Sequence, residues 1–163
     1  MRQGWWLLGA AVLVAGCSVS AEGSLHARPS DACTLFTSEE VAGIVGTPGP
    51  FTGAHEDDDQ NGNPVWGCTW GTQTSYVDLR EITAAGLAGV DHDAGATRTP
   101  LSGIGDRAEL VKWTSGREPE LYLTVSGVNY GIDVAVNRRA ADDGGNADHE
   151  ADAEQTVAKA ITG

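Results

Sequence analysis

Basic residues are scarce in this chain of 163 residues. It contains 10 Lys and Arg against 23 Asp and Glu, which gives a formal net charge of -13 at pH 7. A surface of this charge repels the phosphate backbone of nucleic acids, and the only two adjacent basic residues are Arg138 and Arg139. We therefore expect no nucleic-acid partner, and the acidic excess is typical of a solvated surface.

Catalytic motifs are also lacking. The chain has no G-x-S-x-G nucleophile motif, and Gly103-Ile104-Gly105 lacks the third glycine of a dinucleotide fingerprint. Carboxylate pairs occur by chance in so acidic a chain, and they indicate a catalytic site only where burial shifts their pKa values. The histidines lie in polar loop contexts without the spacing of metal ligands: His26, His55, His92 and His149. These absences predict a protein that is not an enzyme.

No hydrophobic run is long enough to cross a membrane. The run from Trp5 to Ala15 would form a helix of about 17 Å, whereas the hydrocarbon core of a bilayer is about 30 Å thick. With Arg2 before it, the run is typical of a signal peptide, which we assign to residues 1–16.

A lipid-attachment pattern ends this signal peptide. Val14-Ala15-Gly16-Cys17 resembles the lipobox of bacterial lipoproteins, in which an aliphatic and two small residues precede a cysteine. The resemblance implies that Cys17 is the lipidated N-terminus of the mature protein, carrying acyl chains such as palmitate. The membrane is then a partner through this lipid, and the expected location is the extracytoplasmic face of the cell membrane.

The cysteine count is odd, which in an exported protein requires an explanation. If Cys17 carries the lipid, Cys33 and Cys68 remain as one pair. An exported compartment permits a disulfide between them, which would close a loop of about 36 residues. A two-cysteine metal site and a redox pair are the alternatives, although the spacing is not C-x-x-C.

The remaining chain predicts one α+β domain. Residues 17–30 are small and polar and predict a flexible tether, so that the globular domain spans residues 31–163. Thr37 and Glu40 form a capping box that begins a short helix, Gly46 ends it, and a second helix is expected at about 149–162. Five strands are expected, at about 66–70, 75–83, 107–114, 120–126 and 128–136. Residues 47–64 are predicted as a long loop, and 84–100 as a short helix or irregular crossover. The expected architecture is an antiparallel sheet of about five strands with an N-terminal and a C-terminal helix.

Several motifs are shared with a known group. They are a D-x-C-x-L opening at Asp31-Ala32-Cys33-Thr34-Leu35, then Cys68-Thr69-Trp70, then Gly103-Ile104-Gly105-Asp106. Together they resemble small actinobacterial secreted lipoproteins classified as a domain of unknown function. The resemblance covers about residues 31–162 and implies an exported, lipid-anchored α+β domain with paired cysteines. It implies no activity and no catalytic residues. Similar lipoproteins suggest a PsbP-like sandwich as the topology.

One acidic loop suggests a calcium site. Asp57, Asp59 and Asn61, followed by Gly62, match the first half of an EF-hand loop. The second half does not match, because the position of the bidentate glutamate is occupied by Cys68. A calcium ion would therefore need a remote carboxylate, and a solvated acidic loop is the alternative.

Two tryptophans flank the second cysteine. Trp66 and Trp70 are four residues apart and are expected on one face of a strand, either packed on the disulfide or lining a groove for a glycan or lipid tail. Trp113 is expected on the side opposite Leu110 and partly exposed.

The sequence thus predicts a non-catalytic binding or interaction module of the cell envelope. A carrier of an apolar ligand, lipid or glycan, is the alternative. An envelope hydrolase is a more distant one, which would require a cleft with a buried carboxylate pair.

Overall fold

The computed structural model describes residues 23–59, 62–90, 94–138 and 146–163. The predicted signal peptide and the lipid-attachment residue Cys17 lie outside these residues. Within the described ranges, no helix is both long and apolar enough to cross a bilayer.

The domain is α+β, as predicted, and its centre is one antiparallel sheet. The strands follow the order β1-β2-β3-β7-β6-β5-β4 across the sheet. Their bounds are β1 Gly53–His55, β2 Gly67–Gly71, β3 Tyr76–Ile82, β4 Ala96–Leu101, β5 Arg107–Trp113, β6 Glu120–Val125 and β7 Val128–Ala135. The described sheet consists of two meanders, β1 to β3 and β4 to β7, which join where β3 pairs with β7.

The expectation of about five strands is wrong, because the described residues form a sheet of seven. The two strands that the sequence did not indicate, β1 and β4, are the outermost strands of the sheet. Edge strands bury few side chains, so the alternation of apolar and polar residues that identifies a strand is absent from them. Pro100 within β4 further weakens the strand pattern, and such a residue is tolerated at an edge.

The short N-terminal helix α1, Ser38–Val45, has the predicted ends. Thr37 accepts a hydrogen bond from the Glu40 backbone N–H, and the Glu40 carboxylate accepts one from the Thr37 backbone N–H. Gly46 ends the helix with a φ of 64°, a left-handed conformation that glycine adopts at little cost. The capping box therefore begins the helix where the sequence predicted it.

The two faces of the sheet are covered differently. Helix α1 and the C-terminal helix α3, Ala147–Thr162, pack on one face and form the main core with strand residues such as Val77, Leu79 and Ile132. On the opposite face, helix α2, Ala84–Val90, covers a smaller apolar cluster of Val111, Trp113 and Tyr122. The partial exposure predicted for Trp113 is wrong, because this helix leaves only 9% of the residue exposed. On this opposite face, here called the outer face, the described residues of β1 and β2 contribute nothing to the smaller cluster.

The structure differs from the predicted tether in residues 23–30. Leu25 lies in a 3-10 helix, Leu25–Ala27, and is only 2% exposed. The guanidinium of Arg28 lies 4.3 Å from the centre of the Trp66 ring and forms an ion pair with Glu81. These contacts attach the segment to the domain, so the folded unit includes residues from Gly23 onward rather than from Asp31. The polar composition of this segment gave no indication that Leu25 is buried in the domain.

Candidate functional site

A polar cleft lies on the outer face of the sheet, where β2, β3 and β7 meet. Thr69 stands opposite Asp78 in the β2–β3 register, and Asp78 stands opposite Asp133 in the β3–β7 register. Their sequence neighbours Val77, Leu79 and others point into the main core, and side chains alternate along a strand. The three polar side chains therefore form one row across three strands on the opposite face.

The cleft has a volume of about 240 Å³ and its lining is mainly polar. This volume is below the roughly 300–1,000 Å³ of sites for drug-sized ligands, so the cleft fits a small molecule or one unit of a longer chain. Three carboxylates, two hydroxyl groups and one guanidinium line it, from Glu56, Thr69, Tyr76, Asp78, Arg80 and Asp133.

The hydroxyl group of Thr69 bridges two carboxyl groups. Its Oγ1 lies 2.7 Å from Oε1 of Glu56 and 2.9 Å from Oδ1 of Asp78. A hydroxyl group has one proton and can donate it to only one of them. The second contact is a hydrogen bond only when that carboxyl group is protonated and donates to the threonine. The arrangement therefore favours one proton held between Glu56 and Asp78.

The electrostatics of Asp78 agree with a shared proton. Its side chain is only 7% exposed, and burial raises its pKa from 3.8 to about 7. The guanidinium of Arg80, whose Nη1 is 2.6 Å from Oδ2 of Asp78, opposes this increase, and the Glu56 carboxyl adds to it. Asp78 thus changes its charge near neutral pH, as a functional carboxyl group often does.

Gly67 makes room for Glu56. A Cβ atom at Gly67 would lie 2.5 Å from Cγ of Glu56 and 2.7 Å from the carbonyl oxygen of Leu79. Any larger residue would therefore displace the Glu56 side chain or the backbone of β3. The absence of a side chain at Gly67 therefore allows Glu56, in the loop after β1, to lie against the sheet at the cleft.

The far end of the cleft is fixed by Arg138. The hydroxyl of Tyr76 donates to Oδ2 of Asp133 over 2.6 Å, and Nη1 of Arg138 donates to the Tyr76 oxygen over 2.7 Å. A second nitrogen of Arg138, Nη2, contacts Oδ1 of Asp133 at 3.2 Å. Burial and the Asp133 carboxylate raise the pKa of Tyr76, so the phenol stays protonated and acts as a donor. At this end of the cleft the Asp133 carboxylate is therefore already paired with a cation.

The predicted disulfide between Cys33 and Cys68 is present, with a Cα–Cα distance of 5.2 Å. Trp70 lies beside it in the core, 1% exposed, with its ring 5.4 Å from that of Phe36 in an edge-to-face arrangement. Trp66 is half-buried beneath Arg28, and its indole N–H donates to the carbonyl of Pro29. Trp70 therefore packs beside the disulfide, whereas Trp66 packs against Arg28 and Tyr130. The groove for a glycan or lipid tail stays a prediction.

The candidate calcium loop is described only in part. Asp57 and Asp59 are exposed, and Asn61 lies outside the described residues. The Asp59 carboxylate accepts hydrogen bonds from the backbone and side-chain amides of Asn63, which closes a turn. The calcium site stays a prediction.

A second group of metal-ligating atoms is found at the disulfide. Among the described residues, Asp31, Cys33 and His55 each offer one such atom, and these atoms lie within 4.8 Å of one another. In the sequence His55 stands as an isolated loop residue, because Cys33 and Asp31 are 22 and 24 positions away in the chain. Only the pairing of β1 with β2 brings them together.

No sequence motif marks the residues of the cleft. One signal was available, since Thr69, Asp78 and Asp133 each interrupt a run of apolar residues at an outward position of a strand. The sequence cannot say that those strands are neighbours in this register, so the three side chains could not be placed together.

Comparisons with protein-family models, with curated proteins and with solved structures find no match to this chain. The function must therefore be inferred from the geometry of the cleft.

Proposed function

We propose that this protein is an exported, lipid-anchored lipoprotein of the cell envelope that binds a small polar ligand in the cleft on the outer face of its sheet. The observation that carries the proposal is the bridge from Thr69 to Glu56 and Asp78 inside an open cavity. A carboxyl group that is largely buried in the wall of an open cleft lowers the stability of the folded state. Ligand recognition is a common reason for a protein to retain such a group. The ligand-binding role refines the binding module that the sequence predicted.

The charges of the cleft favour a ligand that has hydroxyl groups and a positive charge. Three carboxyl groups line it, Arg80 is the one cation among the lining residues, and Arg138 pairs with Asp133 at the far end. The net charge of -13 also raises the local concentration of cations around the whole protein. Hydroxyl groups of the ligand would pair with Asp133 and Thr69, and an ammonium group would take the place of the proton that Glu56 and Asp78 share. An amino sugar such as glucosamine combines both features.

The polar cleft supports this ligand class over the apolar one that the sequence left as an alternative. An apolar pocket beside α2, lined by Leu87, Tyr122 and Leu123 among others, has a volume of about 10 Å³. This is about the space of one water molecule, and a lipid tail needs far more. A carrier of apolar ligands therefore has weaker support than a binder of polar ones.

Ligand binding is tested by titrating the isotope-labelled domain with glucosamine while recording amide chemical shifts. We expect saturable shifts at Thr69, Asp78 and Asp133, and their loss in Asp78→Asn and Thr69→Val. Asp148→Asn is the matched control, because Asp148 is an exposed aspartate that pairs with Lys112 outside the cleft. Shifts that never saturate, or that persist in Asp78→Asn, would refute the amino-sugar proposal.

The lipid anchor is tested separately from the cleft. Expression of the full chain with labelled palmitate in an actinobacterial host is expected to label the wild type and not Cys17→Ala. Equal labelling of both would remove Cys17 as the attachment site without affecting the cleft proposal. Membership of the lipoprotein family and the PsbP-like topology stay predictions alongside it.

Acid–base hydrolysis of an envelope glycan is a second candidate, and the raised pKa of Asp78 favours it. A carboxyl group with a pKa of about 7 donates protons efficiently near neutral pH, and Glu56 supplies a second carboxylate beside the same hydroxyl group. Chromogenic glycosides test it: turnover must disappear in both Asp78→Asn and Glu56→Gln. The absence of turnover with the wild type would leave ligand binding as the better proposal.

A further inference from the structure

The disulfide between Cys33 and Cys68 has two potential metal ligands beside it. Nδ1 of His55 lies 3.9 Å from Sγ of Cys33 and 3.9 Å from Oδ1 of Asp31. His55 is exposed, and Cys33 is half-buried. Asp31, Cys33 and His55 therefore lie at the protein surface, where a metal ion could reach them, whereas Cys68 is buried.

Separate features of the fold position each of these groups. His55 ends β1 and pairs with Cys68 in the register of β1 and β2, so its side chain lies beside the disulfide. Asp31 begins the 3-10 helix Ala32–Thr34, where its carboxylate accepts a hydrogen bond from the Cys33 backbone N–H. The histidine and the carboxylate are thus held in place by strand pairing and by a helix cap, neither of which requires the sulfur–sulfur bond.

Gly53 allows β1 to lie close against the disulfide. A Cβ atom at this position would lie 2.9 Å from Sγ of Cys68 and 3.1 Å from Cβ of Cys33. Gly53 therefore places no side chain against either cysteine.

The spacing of the ligand atoms suits zinc. Zinc binds thiolate at about 2.3 Å and imidazole or carboxylate at about 2.0–2.2 Å, with tetrahedral geometry. A tetrahedron with such bonds has its ligand atoms roughly 3.3–3.8 Å apart. The two 3.9 Å distances from Nδ1 of His55 are close to that range. With the disulfide intact only the histidine and the carboxylate can bind, because zinc requires thiolates and not disulfide sulfurs.

We propose that reduction of the Cys33–Cys68 disulfide creates a zinc site whose four ligands are the two thiolates, His55 and Asp31. A dithiol reductant supplies two electrons and two protons and becomes a disulfide itself, while Cys33 and Cys68 become thiols. Zinc then replaces the two thiol protons, which pass to solvent. The site is independent of the carboxylate cleft, and it makes zinc binding depend on the redox state of the chain.

The test uses cobalt(II) as a spectroscopic substitute for zinc. The domain is reduced with a phosphine, freed of the reductant without oxygen, and titrated with cobalt and then with zinc. We expect thiolate-to-cobalt charge-transfer absorption in the reduced protein only, at one equivalent, and its loss when zinc is added. The oxidised protein is expected to show none.

Variants distinguish this four-ligand site from metal binding by the two cysteines without His55 and Asp31. His55→Ala and Asp31→Asn are expected to weaken zinc binding at least about tenfold, and the asparagine keeps the cap on the 3-10 helix. His26→Ala is the control, because His26 is an exposed histidine of the same domain. Absence of the absorption band, or equal affinity in His55→Ala and His26→Ala, would overturn the proposal. If reduction unfolds the chain, zinc must restore the native near-ultraviolet circular dichroism in the wild type and not in His55→Ala.

Discussion

Glu150 and Glu154 lie one helical turn apart on α3 and both are buried, but only Glu150 has hydrogen-bond partners in the described structure. Oε1 of Glu150 accepts from the backbone N–H of Val136 and from Nε of Arg138, each over 3.2 Å. Both carboxylate oxygens of Glu154 lack a partner among the described residues, and the residue is 0% exposed. Burial therefore raises the pKa of Glu154 well above its usual value, the charge of Asp133 adds to the increase, and the backbone of Val134 partly opposes it.

We expect Glu154→Leu to stabilise the domain and Glu150→Leu to destabilise it. The first removes an unpaired buried carboxyl group and fills its space with apolar atoms, which should add about 1–3 kcal/mol at pH 8. The second leaves Arg138 without one of its acceptors. Because the folded state holds the Glu154 proton more tightly than the unfolded state, the gain should be greatest at high pH and shrink towards pH 5. Urea unfolding at pH 5 and pH 8 measures both, and a destabilised Glu154→Leu would contradict the assignment.

Asp78 should make the domain less stable as the pH rises from about 4 to 7. Its pKa is raised to about 7 in the folded state, so the folded state binds more protons than the unfolded state throughout this range. Asp78→Asn should therefore reduce the loss of stability between pH 5 and pH 8 by roughly 2–4 kcal/mol, at about 1.4 kcal/mol per pKa unit. Urea unfolding across this range measures the slope.

Asp148→Asn is the control for that experiment. Lys112 lowers the pKa of Asp148, so this carboxylate is ionised above pH 5 in both the folded and the unfolded chain. The control should keep the wild-type slope. Identical slopes for the wild type and Asp78→Asn would show that Asp78 ionises normally.

Removal of residues 23–30 should destabilise the domain, although a tether would be dispensable. A chain that begins at residue 31 loses the buried side chain of Leu25 and the stacking of Arg28 on Trp66. Burial of one leucine contributes about 1.5–3 kcal/mol, so we expect a loss of at least this size relative to a chain that begins at residue 23. Urea unfolding measures the free energy of unfolding of the two chains. Equal values would mean that residues 23–30 act as a tether and do not stabilise the domain.

Loss of the disulfide should cost about 3–4 kcal/mol, because it closes a loop between residues separated by 35 positions. We expect this decrease in urea unfolding of Cys33→Ser/Cys68→Ser in the absence of metal. Reduction of the wild type with zinc removed should give a similar decrease and should not affect the double variant. An effect of reductant on the double variant would mean that the loss has another origin.

Local patterns in the sequence predicted the features that depend on a few neighbouring residues. The capping box needs only Thr37 and Glu40, and the hairpin between β6 and β7 needs only Ser126-Gly127, both with a positive φ. The alternation of apolar residues predicted β7 because that strand is buried on one face along its length. The edge strands β1 and β4 escaped prediction because they bury too little surface to show such a pattern.

The α+β class, the ends of α1 and the inner strands follow from the sequence, because hydrogen bonds within a helix or hairpin and the burial of alternate residues act over short stretches of chain. Which polar side chains meet depends instead on the packing of the whole sheet. Glu56, Thr69 and Asp78 belong to three segments whose register is set by the whole sheet. The raised pKa of Asp78 and the unpaired carboxyl of Glu154 likewise arise from burial, and burial is a property of the packed domain and not of any single segment.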